Sequence, residues 1–158
     1  ADIGPLVTQK AVDEITAKID EAVAAGARVA HRATLPDDAK GYFLAPQVLV
    51  DVPADARLVT EEIFGPVAPI VTWTDETAML AEVNASEYGL AAYVFSRDLQ
   101  RAIRLGEEVE AGMVGVNRGL VSDPSAPFGG MKQSGLGREG AREGLEEFRE
   151  TQYLSIAW

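Results

Sequence analysis

Stretches with helical spacing alternate with short β-branched runs through the middle of this chain, and that alternation constrains the fold more than any other feature. Val12, Ile15, Ile19 and Val23 recur three and four residues apart, with Asp13, Glu14, Lys18 and Asp20 on other faces, so the first element reads as an amphipathic helix. Thr8 suits its N-cap and Gly26 its stop. Residues 27–33 read as a short strand, and Pro36-Asp37-Asp38 as a turn before Tyr42-Phe43-Leu44. Residues 48–50 and 67–73 read as further strands, with 60–66 as a compact connector. A helix over 75–86 follows, with Ala78, Met79, Ala81 and Val83 available for packing. Next come a buried strand over 90–96, a helix over 97–109 and a strand over 112–117 whose glycines suit close backbone contacts. A Gly/Pro/Ser-rich loop over 118–136, a helix near 138–147 and a last strand over 153–158 complete the reading. The expected class is α/β with some parallel pairing, and the absence of a repeat or low-complexity linker argues for one domain.

Composition narrows what such a fold can do. Hydrophobic residues make up 47% of the 158 and charged residues 25%, which favours a globular fold over disorder. A formal net charge of −11 argues against a nucleic-acid partner, which needs clustered Lys and Arg, and against docking on an anionic membrane. No apolar run approaches the roughly 18 to 20 residues that span a bilayer, and the first five residues do not read as a secretory leader. With no cysteine there is no disulfide, no Cys nucleophile and no zinc site built on Cys pairs. No metal site is expected. A Ser-His-Asp arrangement would have to use the single histidine, His31, which no nucleophile motif accompanies, so it reads as a surface residue.

One motif misleads. Gly135-Leu136-Gly137-Arg138-Glu139-Gly140 spells G-x-G-x-x-G, but a Pro/Gly loop precedes it where the dinucleotide fingerprint needs a strand. The chain also ends too soon for the acid that the fingerprint places about 20 residues further on. Gly129-Gly130-Met131-Lys132-Gln133-Ser134 is not a P-loop, because no Gly-Lys-Ser/Thr triplet closes it.

Three segments, in order, carry a family resemblance. Glu61-Glu62-Ile63-Phe64-Gly65-Pro66-Val67 is similar to the E-E-I/V-F-G-P-V motif of aldehyde dehydrogenases, and Tyr88-Gly89-Leu90-Ala91-Ala92-Tyr93-Val94-Phe95 to their Y-G-L-A-A-x-V-F stretch. Residues 127–140, from Pro127-Phe128-Gly129-Gly130 to Gly137-Arg138-Glu139-Gly140, resemble their P-F-G-G-x-K-x-S-G-x-G-R-E-G signature. With Gly4-Pro5-Leu6-Val7 and the stretch ending in Trp158, the resemblance covers essentially the whole chain and is nearest to the succinate-semialdehyde type.

The resemblance implies the C-terminal, catalytic-domain part of that fold over 1–158, with residues 151–158 as a strand of an oligomerisation sheet. It implies NAD or NADP as cofactor, a small semialdehyde as substrate, a homo-oligomer and a cytoplasmic location. Glu62 falls where the family binds the nicotinamide ribose hydroxyls, a task suited to a two-oxygen acceptor. Phe64 falls where it contacts the nicotinamide ring and restricts its swing. Ser122 falls where a loop serine donates to the substrate carboxylate. Taken alone, Glu61-Glu62 would read as a solvated pair at a helix start, Phe64 as a core residue, and Ser122 as a loop serine making a local turn bond. Pro127 and Phe128 are candidates for the wall of the substrate entrance, and the signature glycines for tight turns. Arg118 stands nearby without matching a family requirement.

In the family a Cys attacks the aldehyde, hydride passes to the nicotinamide, and a Glu-activated water releases the acid. This chain contains no Cys, and no residue in it is assigned as catalytic. The Rossmann part, the oxyanion-hole Asn and the general base all precede these motifs in the family pattern. The chain alone is therefore expected to be inactive, a fragment of such an enzyme. The other reading is a non-catalytic binding or oligomerisation module of the same fold. Glutaric semialdehyde is an alternative substrate, since one methylene is worth only about 1 to 3 kcal/mol in a pocket.

Overall fold

The computed structural model describes residues 3–36 and 38–158, and the chain divides into two compact units, Ala1–Thr74 and Asp75–Trp158. The expected turn at 36–38 includes Asp37, which lies outside the described residues.

The first unit is built on helix α1, Gln9–Ala24. Thr8 caps it by accepting a hydrogen bond from the Ala11 amide at 3.1 Å. At the other end Gly26 takes a positive φ of 111°, and the Ala27 amide returns to the Ala22 carbonyl at 2.9 Å. The buried stripe is Ile15, Lys18, Ile19 and Ala22 rather than the purely apolar set read from the sequence; Val12 is half-buried and Val23 exposed. Counting round the helix, Val23 sits at the edge of that stripe and Lys18 inside it.

The stripe packs with Ala27, Leu49, Val52 and Leu58, with Leu6, Leu44, Ile63, Val67 and Val71 closing the margins. Strand β1 (Arg28–Arg32) pairs antiparallel with β2 (Gln47–Val50), and β2 pairs parallel with β3 (Val67–Pro69). A short helix that the sequence did not suggest, α2 (Arg57–Thr60), leads into the connector at 61–66. β3 is shorter than the expected run to residue 73, although the Ile70 amide still reaches the Leu49 carbonyl at 2.8 Å. His31 is exposed on β1.

In the second unit come α3 (Glu76–Asn84), β4 (Tyr88–Gly89), β5 (Ala91–Val94), α4 (Leu99–Glu108), β6 (Met113–Val116), β7 (Met131–Lys132) and α5 (Glu143–Glu146). β5 and β6 pair in parallel through the crossover helix α4, and β4 pairs antiparallel with β7. Asp75 and Asp98 cap α3 and α4 through the amides of Ala78 and Arg101. Ala102 and Leu105 are the buried residues of α4, and Met113 and Gly115 those of β6. Parallel pairing through a helix is the α/β arrangement that the alternation implied.

Four expectations are corrected here. β5 is not buried: its exposure alternates, because α4 packs on one face while Tyr93 and its neighbours on the other lie open. α3 buries none of its residues; Met79 and Leu80 are half-buried, while Ala78, Ala81 and Val83 are exposed. The helix expected near 138–147 shrinks to α5, since Glu139 exchanges backbone hydrogen bonds with Phe128 at 2.7 and 2.8 Å and positive φ at Gly140 and Ala141 breaks the spiral. Residues 153–158 form no strand within this chain, and Tyr153, Leu154, Ile156 and Trp158 are exposed. A strand needs a neighbouring backbone to take its hydrogen bonds, and no described segment offers one.

Candidate functional site

The connector at 61–66 is shaped from beneath. α2 ends when the Glu61 amide bonds the Arg57 carbonyl at 3.0 Å. The Arg57 guanidinium grips the Glu61 carboxylate through Nε at 2.8 Å and Nη2 at 3.1 Å, and reaches Glu21 through Nη1 at 3.0 Å. From α1, the Lys18 ammonium sits 3.1 Å from the same Glu61 carboxylate and donates to the Glu62 carbonyl at 2.8 Å. These hydrogen bonds, from Arg57 first and Lys18 second, hold the Glu61 carboxyl at about 2, well under its ordinary 4.5. Ile63 turns inward onto the core. Gly65 passes directly over α1: a Cβ there would lie 2.6 Å from the Ile15 Cδ1.

Those anchors leave Glu62 and Phe64 facing outward. Phe64 adopts the left-handed region (φ 49°) and is 81% exposed, so it is not a core residue. Glu62 is exposed, and its carboxylate takes no hydrogen bond from another described residue. Beside them lies a cavity of about 330 Å³ whose lining includes Leu6, Val7, Glu14, Lys18, Glu62 and Phe64. The cavity thus combines apolar side chains with the buried Lys18, the free Glu62 carboxylate and one exposed aromatic ring.

In the second unit, the loop that carries Ser122 begins where β6 ends. Asn117 takes a φ of 53°, and its amide donates to the Val94 carbonyl at 2.8 Å. Its side chain clasps the backbone of Ser96 in both directions: Oδ1 accepts from the Ser96 amide at 2.9 Å, and Nδ2 donates to the Ser96 carbonyl at 3.0 Å. The loop then folds back on β6, close enough that a Cβ at Gly115 would lie 2.9 Å from the Arg118 carbonyl oxygen and 3.0 Å from Val121. Beyond Ser122, the Asp123 carboxylate accepts from the Ser125 amide at 2.9 Å and its hydroxyl at 2.7 Å. These bonds, the backbone one first, hold the Asp123 carboxyl below its ordinary range, with Arg118 adding a smaller attraction.

The local turn bond of a loop serine is therefore present, but Ser125 makes it. Ser122 is exposed and makes no hydrogen bond with another described residue. Arg118 is exposed at the root of the loop, Pro127 is exposed, and Phe128 is half-buried beside a cavity of about 440 Å³. The rest of the Gly-rich signature knits the second unit together. Ser134 Oγ accepts from the Gly89 amide at 3.0 Å, and Lys132 Nζ donates to the Asn84 and Ser86 carbonyls at 2.6 and 3.0 Å. Arg138 donates to the Gly130 carbonyl at 2.8 Å. Among the described residues no group of three or more His, Cys, Asp and Glu could hold a metal ion, and no helix is long and apolar enough to cross a membrane.

Sequence reasoning gave no role to Arg57 and Asn117 and placed Lys18 on a face other than the apolar one, which its burial between Ile15 and Ala22 overturns. Lys18 left a trace, since it stands three residues after Ile15 on the inward stripe; Asn117, between a strand and a glycine-rich loop, is a residue type that tolerates positive φ. Arg57 left no signal beyond its spacing of four from Glu61.

The profile of the aldehyde dehydrogenase family matches residues 1–154. This chain belongs to the aldehyde dehydrogenase family. It is 53% identical over 99% of its length to a succinate-semialdehyde dehydrogenase of Paenarthrobacter nicotinovorans and 46% identical over 98% to a glutarate-semialdehyde dehydrogenase of Pseudomonas putida. The crystal structure of an E. coli NADP-dependent enzyme superposes on 99% of the chain with a TM-score of 0.90 at 46% identity. That of a Mycobacterium tuberculosis aldehyde dehydrogenase complexed with NAD+ superposes on 92% with a TM-score of 0.83 at 37% identity. The chain spans about a third of these proteins: 35% and 32% of the two relatives, and 32% and 30% of the two structures.

Proposed function

We propose that this chain supplies the nicotinamide-facing turn and the carboxylate-reading loop of an NAD(P)-dependent semialdehyde dehydrogenase, with succinic semialdehyde as substrate and its glutaric homologue as the alternative. The outward presentation of Glu62 and Phe64, beside a cavity with one free carboxylate and apolar walls, carries this reading. Bound NAD(P) supplies the hydride acceptor. Glu62 would accept from the ribose hydroxyls, Phe64 would limit the swing of the ring, and the unengaged Ser122 hydroxyl would donate to the carboxylate of the substrate. The sulfur nucleophile must come from outside these 158 residues, which contain no Cys. Residues 151–158, with Tyr153, Leu154, Ile156 and Trp158 exposed, serve self-association in this proposal, by pairing with a second backbone.

The test uses the intact enzyme, meaning this chain together with the segments its relatives carry beyond it. Glu62→Gln is expected to slow single-turnover hydride transfer while largely sparing cofactor affinity; an unchanged rate removes Glu62 from the site. Ser122→Ala is expected to raise KM for succinic semialdehyde about fivefold, the worth of one hydrogen bond, and to spare an uncharged aldehyde of equal length. Equal effects on both substrates remove Ser122. The 158-residue chain alone is expected to show no turnover, and its light scattering to exceed that of a compact monomer.

A further inference from the structure

Among the described residues, the buried polar or charged side chains are Gln47 and Lys18. Gln47 is accounted for locally, since its side-chain oxygen accepts two bonds from Arg32, at 3.1 and 3.0 Å. Lys18 is different. It is 8% exposed, on the inward face of α1, where an apolar residue would fill the same stripe without the desolvation of an ammonium. Nothing in the proposed chemistry uses it.

Its partners show what it does. One donor goes to the carbonyl of Glu62 and another to the carboxylate of Glu61, both 43 or more residues away in sequence and both in the turn whose side chains face the cavity. The bond to a backbone carbonyl matters most, because it pins the peptide between Glu62 and Ile63. Ile63 is sunk on the core one residue later, and Gly65 lies over Ile15 two residues after that. With that peptide held, the residues on either side of Ile63 have one direction left, outward. Lys18, Glu62 and Phe64 line the same cavity, the lysine buried and the other two exposed.

We infer that Lys18 is a positioning residue: it fixes the 62–63 peptide so that Glu62 and Phe64 hold the nicotinamide riboside in the orientation hydride transfer needs. This rests on the cofactor reading of Glu62 and Phe64. Lys18 acts through the turn, so its removal loosens orientation more than affinity. An electrostatic role toward the cofactor would instead show in affinity.

The experiment compares Lys18→Met, Lys18→Arg and Glu62→Gln in the intact enzyme by three readouts. These are amide hydrogen exchange of the cofactor-free protein, cofactor Kd by NAD(P)H fluorescence, and single-turnover oxidation of an aldehyde carrying deuterium at its reacting carbon. In Lys18→Met, exchange at amides 61–66 is expected to accelerate about tenfold while the amides of α1 stay protected. Because a misplacement of about 1 Å costs up to about 100-fold, the hydride step is expected to slow about tenfold or more, with Kd within about twofold. Lys18→Arg, which keeps donors at that depth, is expected to recover most of both losses. Should Lys18→Met fail to fold, Lys18→Gln is read by the same criteria. Unchanged exchange at 61–66, or a normal hydride step while Glu62→Gln is slow, overturns the role of Lys18. A tenfold weaker Kd with a normal isotope-sensitive step also overturns it. A Glu62→Gln enzyme with a normal hydride step overturns the cofactor reading itself, whatever Lys18→Met does to exchange.

Discussion

The turn at 61–66 and the loop at 117–126 present their candidate side chains by opposite means. The turn rests on the core of the first unit: a buried ammonium, an inward isoleucine and a glycine lying on α1 leave its outer residues no freedom to choose. The loop rests on clasps at its two shoulders, Asn117 on the Ser96 backbone and Asp123 on Ser125, with Ser122 exposed between them. The difference teaches where each is vulnerable. A change in the hydrophobic core should reach the turn, whereas the loop should change shape without the fold noticing.

Three outcomes break or sharpen that contrast. The largest is expected from Leu49→Ala, since Leu49 is fully buried in the core on which the turn sits. It should cost about 2 to 5 kcal/mol in urea denaturation and loosen amides 61–66 along with α1. A turn that kept its protection in that variant would mean that it does not lean on the core. A smaller effect is expected from Asn117→Ala, which loses both bonds to Ser96 and forces a residue with a Cβ into positive φ. About 1 to 3 kcal/mol of local opening should appear as faster exchange over 117–126, with little change in urea midpoint. Asn117→Gly relieves the backbone and should recover part of the loss; equal behaviour of the two variants would leave the side-chain clasp as the whole effect.

The smallest effect is acidic. Because the folded Glu61 carboxyl titrates at about 2 against an ordinary 4.5, its contribution is fully present above about 4.5 and is lost only as pH falls through the folded value. Following the Glu61 carboxyl carbon by NMR from pH 7 downward should show it ionised at pH 4. A midpoint near 4.5 would mean that the Arg57 and Lys18 contacts are not held in solution.

Much of the fold was legible before any coordinates. Thr8 and Gly26 bracket α1, and the parallel β5–α4–β6 crossover follows from alternating periods, because capping and periodicity act over a few residues. Burial and pairing with a covering neighbour were harder to read. β5 looked buried because it is apolar, yet only one of its faces is covered, and residues 153–158 looked like a strand without a partner in this chain. For the site, the family motifs picked out Glu62, Phe64 and Ser122 as residue types at matching positions. They said nothing of which way each would point.

Sequence by itself determined the main helix–strand alternation, the α/β class, the lack of a sulfur nucleophile within these residues and the family to which they belong. Only the tertiary structure decided that Phe64 stands outside the core, that Ser125 rather than Ser122 closes the local turn, and that Lys18 is buried against the turn at 61–62. The reason is distance along the chain. A cap and its helix are neighbours, but Lys18 and the carbonyl it holds are 44 residues apart, and nothing short of the packed core brings them to 2.8 Å.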